Sequence, residues 1–126
     1  MRQAADWLRQ QQASVIYGTV RLIEPDRETL IPWAREAYAC IIFNLHTEHD
    51  PDSLAHTAKS FRGLIDRALA LGGSFYLTYH RFATREHVLA AYPAMPDFLA
   101  EKARRDPQGL LQSDWYRAMK RLIEGE

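Results

Sequence analysis

Gly72-Gly73-Ser74-Phe75-Tyr76-Leu77-Thr78-Tyr79-His80-Arg81 is the stretch on which the reading of the fold turns. Glycine accepts the left-handed conformation that closes a helix, so the amphipathic segment before it should end at Gly72-Gly73. The next residues, Phe75 to Tyr79, are aromatic or prefer extended backbone, and they predict a strand. Tyr76, Thr78, Tyr79, His80 and Arg81 make this the densest polar and aromatic cluster in the chain.

Upstream, Asp50 is placed to cap a helix whose first residue is Pro51, a position proline favours. That helix is predicted to run to about Leu71. Leu54, Ala58, Phe61, Ile65, Ala68 and Leu69 line one face, and Lys59, Arg62, Asp66 and Arg67 the other. Two strands are predicted before it, Val15 to Ile23 and Tyr38 to His46. In the first, Ile16, Gly18, Val20 and Leu22 alternate with Tyr17, Thr19 and Arg21. In the second, Ala39, Ile41, Phe43 and Leu45 alternate with Cys40, Ile42, Asn44 and His46. Residues 2–13 form a short helix with Trp7 and Leu8 on its apolar side. Residues 28–36, which contain Pro32, form a loop with one helical turn anchored by Trp33.

Downstream, Thr84 caps a helix through Ala91, which Pro93 and Pro96 break. A further helix from Asp97 to Arg105 stops at Asp106-Pro107. Ser113 caps the last helix, with Lys120 and Arg121 near its C-terminus, where the helix dipole favours them. The expected class is therefore α+β: a small, mainly antiparallel sheet of three strands with helices packed on one face. The apolar face of each strand should meet the helices. The other face collects Tyr17, Thr19, Arg21, Cys40, Asn44, His46, Tyr76, Thr78 and His80. It would serve as a solvated or dimer-forming surface, or as the cover of a planar or polyol ligand.

The 126 residues suit one domain, and 47 % apolar content suits a globular one. A formal net charge of zero gives no nucleic-acid footprint, and no helix has a basic face wide enough for a membrane surface. Cys40 is the only cysteine, so an internal disulfide is excluded and a reducing, cytoplasmic setting is expected. There is no Walker-type loop, no glycine fingerprint after a strand and no G-x-S-x-G. His46, His49, Asp50 and His56 lack a second ligand pair at matching spacing, so no metal is expected. Cys40 in an apolar strand reads as a small hydrophobe more than a nucleophile. Arg21 suits an anion or carbonyl oxygen, with an ion pair to Glu24 or Glu36 as the other reading.

Gly72 to Arg81, then Tyr92-Pro93, Lys102, Asp106-Pro107 and Ser113, resembles the C-terminal end of FAD-linked oxidases of the vanillyl-alcohol oxidase superfamily. The branches it looks most like are the alditol and sugar-lactone oxidases and the decaprenylphosphoryl-ribose oxidases. Val15 to Arg21 and Ala39 to Leu45 resemble strands of that family's substrate (cap) domain, which is of ferredoxin-like type. The resemblance spans roughly residues 14–118, in order. It implies that residues 1–126 form a single cap domain lying over the flavin of an enzyme that oxidises an alcohol, such as a sugar or polyol. Arg21 then matches a cationic residue that faces the substrate, and Asn44 a polar residue of the second strand. Cys40 matches a strand cysteine near the pocket, and Tyr76 a tyrosine near the flavin. Thr19 and His46 share the Arg21 and Asn44 face and join the substrate set. Tyr79 falls where one branch has an essential lysine. Tyrosine donates a hydrogen bond but brings no fixed positive charge, so His80 or Arg81 is the alternative there. His80 is the candidate general base. Strand alternation sets Tyr76 and Tyr79 on opposite faces unless the strand ends or bulges near Thr78. The resemblance also implies that FAD is held mainly by an FAD-binding domain, in cis or as a separate chain. A stand-alone ligand-binding or dimerisation module is the other class of function open to the sequence.

Overall fold

The elements α1 (Arg2–Gln10), β1 (Val15–Ile23), β2 (Tyr38–Leu45), α2 (Pro51–Ala70), α3 (Arg85–Ala91), α4 (Met95–Arg105) and α5 (Asp114–Glu124) follow in that order in the computed structural model, which describes residues 2–125. The class is α+β. β1 and β2 pair antiparallel into a two-stranded sheet, with Gly18 opposite Phe43, Arg21 opposite Cys40 and Ile23 opposite Tyr38. Residues 28–36 carry bends but no helical turn.

The helix starts follow from their caps. Asp50 accepts from the backbone N–H groups of Asp52 and Ser53, each at 3.0 Å. The Thr84 hydroxyl accepts from His87 N–H, and His87 Nδ1 accepts from Thr84 N–H, a reciprocal pair that satisfies two otherwise orphaned donors. His87 Nε2 then lies 2.8 Å from Asp66 Oδ1, tying α3 to α2. Ser113 caps α5 through Tyr116 N–H. Pro96 does not break a helix; it sits in the first turn of α4, where its missing N–H has no intrahelical role.

The core lies among the C-terminal helices. Val88, Ala91, Tyr92, Met95, Leu99, Met119 and Ile123 are buried together with Leu77, and Trp33, Phe75, Phe98 and Trp115 pack around them. Phe75 to Tyr79, expected as a third strand, is not one: the chain has no regular secondary structure from 73 to 76 and bends at 77–79. Among the described residues no strand pairs with it, and side chains reach carbonyls in and just after it instead. The Tyr92 hydroxyl donates to Phe75 O, Trp115 Nε1 to Leu77 O (3.2 Å) and Arg62 Nε to Phe82 O (2.7 Å). Burial pushes the Tyr92 phenol well above its ordinary pKa, so it stays a donor. The strand-favouring aromatics of this stretch are satisfied by packing on helices, which is what such preferences largely measure.

Burial across the sheet also differs from expectation. On the face expected to be covered, Ile16, Val20 and Leu22 of β1 are 60 %, 50 % and 88 % exposed, while Ile41, Phe43 and Leu45 of β2 are half-buried. On the other face Tyr17, Arg21 and Asn44 are exposed and Thr19, Cys40 and Ile42 half-buried, with the Tyr38 hydroxyl donating to Gly72 O at 3.2 Å. The difference is thus one of strand more than of face: β2 is covered and β1 is open. Phe43 packs across Gly18, its ring 3.8 Å from where a Cβ would stand.

α1 is pinned to α2 by one residue. Trp7 Nε1 donates to Ser60 O at 2.9 Å, and the Arg67 guanidinium lies over the indole at 4.2 Å. A Cβ on Gly63 would stand 2.2 Å from that ring. Gly63→Ala should therefore lower unfolding stability by about 1–3 kcal/mol through overpacking, read by chemical denaturation. Ser60 provides the contrast. Its buried hydroxyl has no partner among the described residues, so Ser60→Ala should be neutral or stabilising in the same assay.

Candidate functional site

A cavity of about 720 Å³ opens between β2 and α2 and is bounded at one end by residues 73–83. It exists because the sheet does not pack flat on the helices. The backbone of residues 73–83 holds them apart, tied to α2 through Arg62 and to the 28–36 loop through Ser74, whose hydroxyl donates to Trp33 O at 2.5 Å. Ile42, Leu64, Ala68 and Phe75 form apolar wall, and Cys40, Tyr76, Tyr79 and His80 add polar groups.

Two aromatic groups flank the opening. Tyr76 meets Trp33 edge to face at 5.1 Å between centroids and Tyr79 likewise at 5.0 Å. The bend at 77–79 is what brings the two tyrosines together, in place of the opposite faces a regular strand would give them. On the other side His80 stacks on Phe82, with 8° between planes at 5.4 Å, and leans on Phe61 at 4.7 Å. This setting lowers the His80 pKa through desolvation, which favours the neutral imidazole. Burial pushes the Cys40 thiol up, with the Arg21 charge opposing it, so Cys40 stays a thiol and not a nucleophilic thiolate.

Four residues of the sequence-derived set, Cys40, Tyr76, Tyr79 and His80, therefore share one cavity. The others do not line it. Arg21 is exposed opposite Cys40 and makes no ion pair with Glu24 or Glu36. Thr19 is half-buried opposite Ile42, and Asn44 is exposed. His46 points to Glu48, at 3.0 Å, on the outer surface. The physical reason differs by pair: Arg21 and Thr19 stand on β1, which contributes no residue to the cavity, and Asn44 and His46 lie past Phe43, the last residue of β2 that lines it. Sequence reasoning missed Phe61, Phe82, Tyr38 and Trp33 as lining residues. Phe61 was read as helix core and Trp33 as packing. The signal available was the run His80-Arg81-Phe82, whose two flat rings bracket an arginine and stack together.

No family, curated protein or solved structure matches this chain. Among the described residues, no three His, Cys, Asp or Glu side chains converge as metal ligands, and no helix is long and apolar enough to cross a membrane. The donor set around the cavity fits an aromatic ring edge. Its charged side chains are Arg2 and Arg67, and Arg67 is held on Gly63 O and over Trp7, so the lining suits the ring end of a dinucleotide cofactor better than its pyrophosphate.

The His80 environment sets a sign for pH dependence. Its folded pKa lies below the unfolded value, so between the two the unfolded chain binds more protons and stability rises with pH. The contribution is fully present above the unfolded value and is lost as pH falls through the folded one. His80→Phe should flatten part of the stability gain between about pH 5 and 7, measured by urea midpoints across that range. In NMR titration, the His80 ring should titrate below an exposed histidine peptide.

Proposed function

We propose that this chain is the cap, or substrate, domain of an FAD-dependent oxidoreductase that oxidises an alcohol. The observation that supports the reading is that one cavity gathers Cys40, Tyr76 and Tyr79, which the resemblance matches by position, with His80, the neighbour of Tyr79 taken from the sequence as the candidate general base. FAD, held mainly by an FAD-binding domain, would supply the hydride acceptor. Tyr76 and Tyr79 are the residues that would lie at the ring edge. The chain's own residues bind and orient the alcohol, and the surrounding aromatics exclude water. His80 is favoured in its neutral form, the state that accepts a hydroxyl proton at its free ring nitrogen. Arg21, beside the cavity and opposite Cys40, supplies a positive charge within the same strand pair.

Co-expression with an FAD-binding domain of a family oxidase tests this. The expected result is a yellow complex that oxidises alcohols, with the chain alone colourless. Arg21→Ala should then lower turnover by tenfold or more, about 1.4 kcal/mol or above in barrier, while leaving the melting temperature within a degree or two of the parent. A chain that never co-purifies with flavin-loaded partners overturns the reading.

A second reading, a dimerisation module, is favoured by the open apolar face of Ile16, Val20 and Leu22. Sedimentation of the chain alone separates the two. A stable dimer that Leu22→Lys dissolves, with no flavin complex formed, selects the module.

A further inference from the structure

β1 is open on both faces and along one edge. It packs appreciably only on β2, and its outer edge has no partner strand among the described residues. Val15, Ile16, Tyr17, Val20 and Leu22 are all exposed. β2 has an unpaired edge too, but most of its side chains are half-buried and residues 38–43 line the cavity. An edge strand presents a row of unpaired N–H and C=O groups, which monomeric proteins blunt with lysine, proline, inward charges or a cover. β1 has no proline, lysine or acid. Arg21 is its one charge, and the irregularity between Val15 and Tyr17 affects only its first residues.

The strand is complementary to itself. Antiparallel pairing of two copies about a two-fold axis through Thr19 sets Gly18 opposite Val20, Tyr17 opposite Arg21 and Ile16 beside Leu22. Alternate residues of β1 turn their N–H and C=O toward β2, and the others turn them outward. Opposed residues in this register are an even number apart, so outward groups meet outward groups. A slip that opposes odd with even residues breaks the match. Centring the axis on Val20 instead puts the two Arg21 side chains on a diagonal, about 7–8 Å apart. Centring it on Gly18 sets Arg21 against Val15. Of the three, only the Thr19-centred register places each guanidinium against a tyrosine ring, whose face attracts a cation. It also holds the two arginines roughly 14 Å apart.

We propose that β1 pairs with β1 of a second copy of this chain in that register, giving a four-stranded antiparallel sheet in the order β2–β1–β1–β2. Nine residues at about 3.4 Å each supply roughly 30 Å of edge. That is less surface than a permanent dimer buries, so the pairing is reversible, with a dissociation constant on the order of 1–100 µM. The proposal goes beyond the cap-domain reading, and it gives the dimerisation reading a strand, a symmetry and a register. None of the cavity's lining belongs to β1. Arg21 serves both readings, so pairing is measured on the chain alone and the cap on its flavin complex; either fails while the other stands.

Sedimentation equilibrium of the full chain from about 1 to 500 µM should show monomer and dimer in exchange. Tyr17→Lys, which sets a lysine against Arg21 of the other copy, should weaken the dimer at least about tenfold. Adding Arg21→Glu should restore it to within about threefold, because each new lysine then meets a glutamate across the axis. Both positions are exposed, so the fold tolerates these changes. Thr19→Cys should oxidise to a disulfide-linked dimer, since directly opposed residues bring their Cβ atoms about 4.5–5.5 Å apart. Monomer throughout the range, a dimer that the charge exchange does not rescue, or crosslinking through Val20→Cys and not Thr19→Cys overturns the proposal. If Thr19→Cys fails to fold, the charge exchange decides alone. A dimer without rescue that Leu22→Lys still dissolves keeps the dimerisation reading, with a sheet face as its contact.

Discussion

Side-chain donors reaching the carbonyls of residues 75, 77 and 82 hold this structure together. A buried peptide group without a partner costs as much as a lost hydrogen bond, so a segment between two layers must find donors somewhere. Here Tyr92, Trp115 and Arg62 provide them, from α3's C-terminal cap, α5 and α2. Each bond ties residues 73–83 to a different helix. The segment is thereby fixed without being regular, and the space under β2 is a consequence of where it is fixed.

Much of the architecture was legible in the sequence because it is set locally. Asp50-Pro51, Thr84 and Ser113 mark helix starts through chemistry confined to one turn, and all three act as caps. β1 and β2 follow from a period of two. What the sequence left open was decided by long-range contacts. Phe75 to Tyr79 has strand-type residues, yet whether it pairs depends on a neighbouring edge that local pattern does not report. Alternation separates the faces of β1 and β2 correctly but is silent on which face meets the helices. The usual assumption, that one face is inside along both strands, fails here because β2 is half-buried on both faces and β1 is mostly exposed on both.

This uneven burial bears on the candidate site. With residues 38–43 of β2 lining the cavity, polar and apolar groups of the sheet meet α2 across a gap where a well-fitted core would have stood. Cys40, Tyr76, Tyr79 and His80 were legible as a set because they lie on or next to that gap. Arg21 and Asn44 were set with them by position in the resemblance, and Thr19 and His46 by sharing that face; neither a matched position nor a shared face ensures a shared cavity. The stacking partners Phe61 and Phe82 escaped notice because an aromatic on a helix stripe looks the same whether it fills a core or walls a cavity.

Two strands make a ribbon whose outer edges are both unclaimed within residues 2–125. The irregularity between Val15 and Tyr17 offsets the pairing at one end of β1. A strand added beside β1 would present side chains that alternate in step with Val20 and Leu22 on one face and Thr19 and Arg21 on the other. The ladder thus sets the spacing that any added polypeptide would meet along β1, before side-chain chemistry is consulted.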